Sequence, residues 1–449
     1  MPWLACCAAC LLGIGALLAS KARASEFAVP ADGATIVGQP RVVTIPKGSQ
    51  VTLLDIARHY DVGYQAIVNA NPHTDVWLPG AGSHIVVPTQ YVLPPKPWKG
   101  IVINIPERRL FYFPPSKHGA AKKVFTFPVG IFQSGFPDPL GKTRIIAKFR
   151  DPKWVVPKDI RKQAKKNGRS LPKVVAPGPY NPMGELALET GFSEIYIHGT
   201  SKPWGVGMRP SHGCFHLYPE DAKTAFKHVP VGTPVRIINK PFLVGRSADN
   251  TLYVTAFKPL KAYKKKKAPK TANRMQDAID AVTDYIVHHG NRGQVEWLRV
   301  RHALKALSPL PVAVSVGSPS LKVRLARVSP HSYHYPPYKN ANNGTPPAPQ
   351  QSAPSQDQSQ QSRLAKRQAK QSRWTVQVAS FDKEGDAQRL IKRLQGHYSV
   401  DAFESRVTVR GKTFHRVFAG RLSAKRRAVR LAAKLTKELG HPVRVQQQS

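Results

Sequence analysis

The feature that most constrains this chain is a change of composition near residue 309. From 309 to 371 the sequence is rich in Pro, Ser, Gln and Asn, with pairs such as Pro336-Pro337 and Pro346-Pro347. Such a segment cannot bury enough apolar surface to offset the entropy of ordering its backbone, so it predicts a disordered linker. The 449 residues are therefore not expected to fold as one globule, and folded parts should lie on each side of the linker.

Residues 1–24 have the pattern of a secretory signal peptide. Leu4 to Ala19 is apolar and small, and Ala22-Arg23-Ala24 is an A-x-A cleavage site ahead of Ser25. The apolar run is shorter than the ~20 residues that a membrane span needs. No other long apolar stretch follows, so we expect no stable membrane span and predict export to the periplasm. Because no Lys or Arg precedes the run, a retained anchor is the alternative to cleavage.

Removal of the signal would leave a single thiol. Of the four cysteines, Cys6, Cys7 and Cys10 lie in the signal and Cys214 lies far downstream. One thiol cannot form an internal disulfide, and an exported free thiol is exposed to oxidants. Cys214 therefore needs a functional or a structural explanation.

The chain is strongly basic. It has 68 Lys and Arg against 26 Asp and Glu, a net charge of +42. Such a charge attracts polyanions, which could be nucleic acid, anionic lipid or an acidic wall polymer. A general bias of an extracellular surface toward basic residues would explain the charge equally well.

Four segments outside the linker have the patterns of folded structure. Residues 40–90 predict a small β-α-α-β module, and residues 99–245 predict a mainly-β domain with hairpins. Residues 251–308 form an accessory segment with two helices, which we expect to pack on the β domain. Residues 373–446 follow a β-α-β-β-α-β order, the split β-α-β arrangement of an α+β domain. The fold class is therefore multidomain.

The chemistry is concentrated between residues 198 and 216, in His198-Gly199-Thr200 and Ser211-His212-Gly213-Cys214-Phe215-His216. A cysteine attacks as the thiolate, and a nearby imidazole can take its proton and return it to an amine. His198 follows a predicted strand and could present that imidazole at the strand end. Gly213 allows a tight turn that brings main-chain amides close to an acyl oxygen.

Two other interpretations of the same residues stay open at this point. His212, Cys214 and His216 alternate, so on a strand they share a face and with His198 could bind zinc. Cys214 could also be an inert buried residue, as many cysteines are.

At these residues the sequence resembles the catalytic domain of the YkuD-type L,D-transpeptidases. The family pattern is His-Gly-Thr, about a dozen residues, and then Ser-x-Gly-Cys, and the resemblance extends over 99–245. Further matches lie upstream: Phe127-Pro128-Val129-Gly130, Pro139-Leu140-Gly141, Pro152-Lys153-Trp154 and Pro177 to Gly184. The resemblance implies a β-sandwich-like fold and a cysteine acyl-enzyme. Because acyl exchange conserves bond energy, we expect no metal and no organic cofactor.

The resemblance also implies a role for each residue. Cys214 would be the nucleophile and His198 the general base and acid. Six residues would support them or bind substrate: Gly199 and Thr200 beside His198, and Ser211, His212, Gly213 and His216 around Cys214. Family members usually carry Arg or Asn at the place of His216. If His216 instead contacts a substrate carboxylate, donor affinity should strengthen as pH falls, because His is charged mainly below about pH 6.5.

The implied donor is a tetrapeptide stem of peptidoglycan, attacked at its diaminopimelate carbonyl with release of D-alanine. The acceptor stays open among three choices: the amine of another stem, giving a 3→3 cross-link; a lipoprotein lysine; or water, giving an L,D-carboxypeptidase side activity.

The flanking modules resemble wall-binding domains. Residues 40–90 are similar to a LysM module through Gly48, Ile56-Ala57, Tyr60 and Asn69 to Pro72, which implies binding to glycan strands. Residues 373–446 resemble a SPOR domain through Trp374 to Phe381 and His415 to Gly420, which implies binding to septal glycan stripped of peptides. The leading hypothesis is a periplasmic transpeptidase that remodels the wall at the septum. A non-catalytic wall scaffold and an exported nucleic-acid binder are the alternatives; His198 and Cys214 argue against the first, and the lack of a nucleic-acid reader motif argues against the second.

Overall fold

The computed structural model describes residues 25–338 and 374–447, except for 31, 117–121, 134–138, 167–169, 261–270, 290–293, 382, 399, 410–411, 423–424 and 440–442. The predicted signal peptide, with its three cysteines and its cleavage site, lies outside these residues, as does the part of the predicted linker from 339 to 371. Within the described part of the chain, no helix is long and apolar enough to cross a membrane.

The N-terminal module has the predicted order of elements, β3 (Arg41–Thr44), α1 (Leu53–His59), α2 (Tyr64–Ala70) and β4 (His84–Val87). Thr52 begins α1 with a capping box, in which its hydroxyl accepts from the Asp55 N–H and the Asp55 carboxylate accepts from the Thr52 N–H. Leu53, Ile56 and Ile67 are fully buried between the helices and the β3–β4 ladder. The resemblance of this module to LysM stays a prediction.

The mainly-β domain is built on one nine-stranded mixed sheet with the strand order β1-β8-β7-β6-β15-β9-β12-β13-β14. Its strands are β1 (Ser25–Ala28), β6 (Gly100–Asn104), β7 (Arg109–Phe113), β8 (Lys123–Pro128), β9 (Gly141–Arg150), β12 (Leu186–Thr190), β13 (Tyr196–His198), β14 (Phe215–His216) and β15 (Pro234–Ile238). Strand β1, which sequence analysis did not predict, pairs with β8 at the edge of this sheet.

The long strand β9 divides the sheet into two halves. Its residues 141–144 pair with β15, and its residues 145–150 pair with β12. The main core takes side chains from both halves, among them Ile103 of β6 and Leu188 of β12, and is covered by helix α4 (Pro219–His228). This two-sided core agrees with the sandwich-like fold that the resemblance implies. Strands β13 and β14, which contain His198 and His216, lie at the end of the second half.

Short elements complete the first 240 residues. They are β2 (Ile36–Gly38) and β5 (Gln90–Val92), which pair with each other, β10 (Trp154–Val155) and β11 (Val174–Val175), which also pair, helix α3 (Lys158–Lys166) and a 3-10 turn at Pro203–Gly205.

The accessory segment is a folded unit with its own core, which corrects two predictions. Helices α5 (Thr271–His289) and α6 (Trp297–Ala306) pack on a three-stranded sheet of β16 (Phe242–Arg246), β17 (Leu252–Ala256) and β18 (Val312–Ala313). The helices therefore have a sheet of their own and do not pack on the catalytic sheet, as we expected. Strand β16 belongs to this unit, so the predicted domain boundary at 245 cuts through it.

The predicted linker is ordered over its first part. Leu310 and Val314 are buried in or beside the accessory sheet, helix α7 (Leu321–Ala326) follows, and β19 (His331–Ser332) pairs in parallel with β3 of the N-terminal module. The adjacent Tyr333 is 1% exposed in the core of that module. Prediction of disorder was wrong for 309–338 because a few large apolar residues find partners that are distant in sequence.

The C-terminal domain has the predicted β-α-β-β-α-β order. Strands β20 (Trp374–Phe381), β21 (Ala402–Val409), β22 (Lys412–Leu422) and β23 (Arg444–Gln447) form an antiparallel sheet in the order β21-β22-β20-β23. Helices α8 (Glu384–Tyr398) and α9 (Lys425–Leu439) pack on one face of it through residues such as Leu394 and Leu435.

Candidate active site

The two predicted catalytic segments meet on neighbouring parallel strands. Strands β13 and β14 are in register with Ile197 opposite Phe215 and His198 opposite His216. His198 therefore ends one strand, and Cys214 immediately precedes the other. The N–H of Leu217 donates to the carbonyl of His198 at 2.8 Å and fixes the two strand ends to each other.

His198 is 3% exposed, and its surroundings fix its tautomer. Its Nδ1 lies 2.6 Å from the carbonyl oxygen of Gly199. A carbonyl only accepts, so Nδ1 carries the proton and Nε2 keeps the lone pair of a base. Burial lowers the pKa of His198 to about 4, although the carbonyls of Gly199 and Met183 oppose this by stabilising the charged ring.

The thiol of Cys214 is partly exposed and protonated at rest. Its Sγ donates to the carbonyl of Glu194, 3.4 Å away. Burial raises the pKa of Cys214 to about 11; the main-chain N–H of Tyr196 opposes this rise, and the carboxylate of Glu194 adds to it. The resting pair is therefore a neutral thiol and a neutral imidazole.

Ser211 and Gly213 shape the turn that carries Cys214. The hydroxyl of Ser211, which is buried, donates to the carbonyl of Cys214 at 2.6 Å and accepts from the N–H of Gly213 at 3.3 Å. A Cβ on Gly213 would come within 3.0 Å of the Ile195 side chain. The turn therefore closes on itself through Ser211, and a side chain at 213 would require the end of the Ile195 side chain to shift.

Gly199 and Thr200 hold the end of β13. The N–H of Gly199 donates to the carbonyl of Leu186 at 3.0 Å, and the buried Thr200 accepts the N–H of Lys202 at its Oγ1, also at 3.0 Å. Gly184 lies against them with φ of +65°, and a Cβ there would be 2.8 Å from the Thr200 nitrogen. The backbone behind His198 thus has little room to move.

Comparison with known proteins places this site in a family. Residues 99–237 match the model of the YkuD L,D-transpeptidase catalytic domain, and residues 370–445 match the SPOR domain. The Salmonella typhimurium protein named "Probable L,D-transpeptidase ErfK/SrfK" is 34% identical over 305 residues, which cover 66% of this chain and 94% of that protein. This chain belongs to the YkuD-type L,D-transpeptidases. It is accordingly a transferase with a C-terminal SPOR domain.

Two Escherichia coli proteins are similar to this L,D-transpeptidase. The one named "Probable L,D-transpeptidase ErfK/SrfK" is 36% identical over 302 residues, covering 66% of this chain and 92% of that protein. The one named "Probable L,D-transpeptidase YbiS" is 38% identical over 243 residues, covering 54% of this chain and 78% of that protein.

His216, where this L,D-transpeptidase departs from the usual Arg or Asn, lies inside the site. Its main chain exchanges two hydrogen bonds with Gly130, at 2.8 and 2.9 Å, and its ring is 4.7 Å from the ring of His198. Burial holds the pKa of His216 well below its usual value, and positive charge on His198, His212 or Lys202 would lower it further. His216 is therefore neutral in the resting site where a free histidine begins to charge, which argues against the expected strengthening of donor affinity as pH falls and leaves that expectation a prediction.

The histidines do not form a metal site with the other described residues. His212 lies in the turn before Cys214 and is partly exposed, whereas His198 is buried at the strand end. In the described ranges no group of three or more His, Cys, Asp or Glu side chains is placed to hold a metal ion.

Sequence analysis missed Glu194 and Tyr196, whose main-chain atoms hydrogen-bond the thiol. Glu194 has a left-handed backbone, with φ of 59°, in the turn that leads into β13. That turn presents the Glu194 carbonyl to Cys214 from a position 20 residues earlier in the sequence. No local pattern marks these residues, because their role is carried by main-chain atoms.

Proposed function

We propose that this L,D-transpeptidase acts on peptidoglycan in the periplasm, with Cys214 as nucleophile and His198 as general base and acid. The observation that supports this proposal is the fixed tautomer of His198. Its Nδ1 donates to the carbonyl of Gly199, so Nε2 stays unprotonated and basic. His198 ends the strand that pairs with the one directly after Cys214. Gly199, Thr200 and Ser211 hold this pair in place.

In the first half-reaction the thiol proton moves to His198 as Sγ bonds to the diaminopimelate carbonyl of a tetrapeptide stem. The C–N bond to D-alanine then breaks, and His198 returns the proton to the leaving amine. In the second half-reaction an acceptor attacks the thioester carbonyl and gives its proton to His198. The C–S bond then breaks, and His198 passes the proton to Sγ, which restores the thiol. The acceptor is an amine of another stem, a lipoprotein lysine or water.

The resting protonation states favour transfer of the proton during attack. With pKa values of about 11 for Cys214 and about 4 for His198, a preformed thiolate–imidazolium pair is unfavourable. The N–H of Gly213 is engaged by Ser211, so we assign the N–H of Cys214 as the donor from this turn to the developing oxyanion. A neutral thiol also resists oxidation outside the cytoplasm.

The flanking parts of the chain would direct this chemistry to the wall. We propose that the β-α-α-β module of residues 40–90 binds glycan strands as LysM modules do, and that the SPOR domain binds septal glycan. Export would follow from residues 1–24, with cleavage after Ala24.

The test is to incubate the full chain from Ser25 onward with disaccharide-tetrapeptides and to identify products by mass spectrometry. We expect a protein adduct equal to the stem minus D-alanine, located on Cys214, followed by cross-linked or trimmed stems. A Cys214→Ala protein is the control and should form no adduct. Glycan binding without any adduct or D-alanine release by the unmodified protein would favour the non-catalytic scaffold.

A further inference from the structure

The first described residue lies against a buried carboxylate. The main-chain nitrogen of Ser25 donates to Asp61 Oδ2 at 2.8 Å, at the start of strand β1. Asp61 follows helix α1 of the N-terminal module, is 2% exposed and has a left-handed backbone with φ of 57°. Burial of an ionised carboxylate costs free energy unless the carboxylate has a charged partner.

A second buried carboxylate, Asp221, lies beside Asp61. Asp221 is 1% exposed in the first turn of α4, within the catalytic domain. Asp61 Oδ1 and Asp221 Oδ2 are both buried, and neither receives a hydrogen bond from a donor among the described residues. These oxygens face a part of the interior that is short of donors.

The guanidinium of Arg109 interacts with this pair, but its hydrogen bonds go to other groups. Arg109, 3% exposed, donates through Nη2 to the main-chain oxygen of Asp61 at 2.8 Å and through Nη1 to Thr126 Oγ1 at 2.9 Å. The neighbouring Arg58 is paired with Glu220. Arg109 therefore donates to neither carboxyl group, and the two carboxyls hydrogen-bond to each other, which requires that one of them keeps a proton unless a second positive charge is supplied.

The effect on titration is consistent with this retained proton. Burial raises the pKa of Asp61 to about 6, against the attraction of Arg109, and burial and the proximity of Asp61 raise that of Asp221 well above its usual range. The other titratable groups around the pair are Glu107, Tyr91, Tyr218, Glu220 and Arg58.

We infer that Asp61 and Asp221 form the binding site for the α-ammonium group of Ser25, produced when the signal peptide is removed after Ala24. Hydrolysis of the Ala24–Ser25 peptide bond by a peptidase consumes one water, leaves a carboxylate on Ala24 and an amine on Ser25, and this amine takes a proton. The nitrogen already bonded to Asp61 thereby changes from a neutral donor of one hydrogen to a cation with three. The charge that would let both carboxyls ionise and the additional donors arise at the same atom.

This ion pair would join three parts of the protein. Strand β1 belongs to the catalytic sheet, Asp61 belongs to the β-α-α-β module, and Asp221 lies in the helix that directly follows His216, Leu217 and Tyr218. The hydroxyl of Tyr218 donates to the carbonyl of Val62, next to Asp61, at 3.0 Å. Removal of the signal would thus complete the contact between the module and the helix after the catalytic strand.

The inference rests on the proposed processing, but its test does not. Two full-length proteins are prepared in vitro, one beginning at Ser25 through a fusion protease that leaves no extra residue, and one retaining Ala22-Arg23-Ala24 ahead of Ser25. Thermal unfolding is measured for both, with hydrogen–deuterium exchange of the peptides that contain Asp61 and Asp221. We expect the protein that begins at Ser25 to unfold about 5 °C higher or more, with slower exchange in both peptides.

The pH dependence separates a charge effect from a steric one. A free α-amine has a pKa near 7.7, and pairing with buried carboxylates raises it in the folded state. The added stability is therefore present below about pH 7.5 as long as the paired carboxyls stay ionised, and it is lost as pH rises through the folded pKa of the amine, so the difference should shrink by about pH 10. Titration of Glu107 and the tyrosines affects both proteins equally and cancels in the difference.

Three further proteins complete the test. Asp61→Asn should abolish most of the difference between the two N-termini, whereas Glu26→Gln, which removes an exposed carboxylate paired with Lys123, should leave it unchanged. If Asp61→Asn does not fold, selective acetylation of the Ser25 amine removes the charge with every side chain intact and should lower the unfolding midpoint to that of the extended protein.

Equal midpoints for the two N-termini, or a difference that survives acetylation or persists unchanged at pH 10, would overturn the inference. Mass determination of the N-terminus of exported protein tests the cleavage separately, and the adduct assay tests the acyl transfer separately.

Discussion

Arg58 and Glu220 are 162 positions apart in the sequence and form a two-pronged ion pair, with Nε–Oε1 at 2.7 Å and Nη2–Oε2 at 2.9 Å. Arg58 lies in α1 of the N-terminal module, and Glu220 lies in the first turn of α4, which follows the catalytic strand. The ring of Tyr338 covers the guanidinium at 4.2 Å and shields the pair from water. The module is therefore fastened to the helix next to the active site.

Loss of this pair should destabilise the protein. Arg58→Ala removes two charge-assisted hydrogen bonds and leaves Glu220 partly buried, so we expect about 2 kcal/mol less stability in denaturant unfolding. Lys123→Ala is the matched control, because its ion pair with Glu26 is exposed and should contribute less than about 1 kcal/mol. Equal free energies of unfolding for Arg58→Ala and Lys123→Ala would show that the Arg58–Glu220 pair does not stabilise the fold more than the exposed pair does.

Replacement of the catalytic pair should stop adduct formation without unfolding the protein. Cys214→Ala should give no adduct, and His198→Ala should slow its formation by about 10³-fold, since the general base is lost. His228→Ala is the control: the ring of this exposed histidine bonds the Thr224 carbonyl of its own helix and stacks on Phe125, and the rate should not change. Full activity of His198→Ala would assign the base elsewhere. Mass spectrometry with a tetrapeptide donor measures all three.

The thiol of Cys214 should react slowly with alkylating reagents at neutral pH. Because its pKa is raised to about 11, the thiolate fraction at pH 7 is about 100-fold below that of a free cysteine. The rate of iodoacetamide modification, followed by intact mass, should rise through pH 9 to 11. A rate plateau reached by pH 7 would instead indicate a preformed thiolate.

The neutral state of His216 makes a prediction about donor binding. In the Cys214→Ala background, affinity for a tetrapeptide donor should change less than about threefold between pH 5.5 and 8, because burial keeps the pKa of His216 well below 6.5. His216→Arg adds a permanent charge and should raise affinity to a similar extent throughout this range, and His216→Asn is the uncharged control. Tightening toward pH 5.5 that His216→Asn removes would show that His216 charges after all.

Truncation after residue 338 should separate chemistry from placement. We expect adduct formation by the truncated protein to stay within about twofold, because the active site contacts described above lie between residues 130 and 217. Fluorescent fusions should lose mid-cell enrichment when the SPOR domain is removed, while full-length Cys214→Ala should keep it. Unchanged enrichment after truncation would contradict the targeting role.

The parts of the site that sequence could predict are those encoded by neighbouring residues. His198 and Cys214 stand in short motifs whose chemistry requires those residue types, and Thr52 marks the start of α1 through a local capping pattern. The carbonyl of Glu194 and the N–H of Tyr196 act through the backbone, so side-chain identity does not reveal them. Their positions depend on a turn that only the folded sheet defines.

Long-range pairing accounts for the rest. Strand β1 has four residues and only marginal β character, and it is formed by pairing with β8, about 100 positions later. Tyr333 lies in a Pro-rich stretch that favours disorder, yet it is buried because the N-terminal module offers a cavity for its ring. Composition averages over such single contacts and cannot predict them.

Two hydrogen bonds at the ends of helix α1 hold residues that are far apart in the sequence, Ser25 and Tyr338. Asp61, just after the helix, accepts from the nitrogen of Ser25, and Asp55, in its first turn, accepts from the nitrogen of Tyr338 at 2.9 Å. A pulling force transmitted from the SPOR domain through Tyr338 would therefore load the module around α1 before it reached the strands that carry His198 and Cys214. An enzyme attached to a stretched polymer network would yield first at this clamp and keep its reactive geometry under tension.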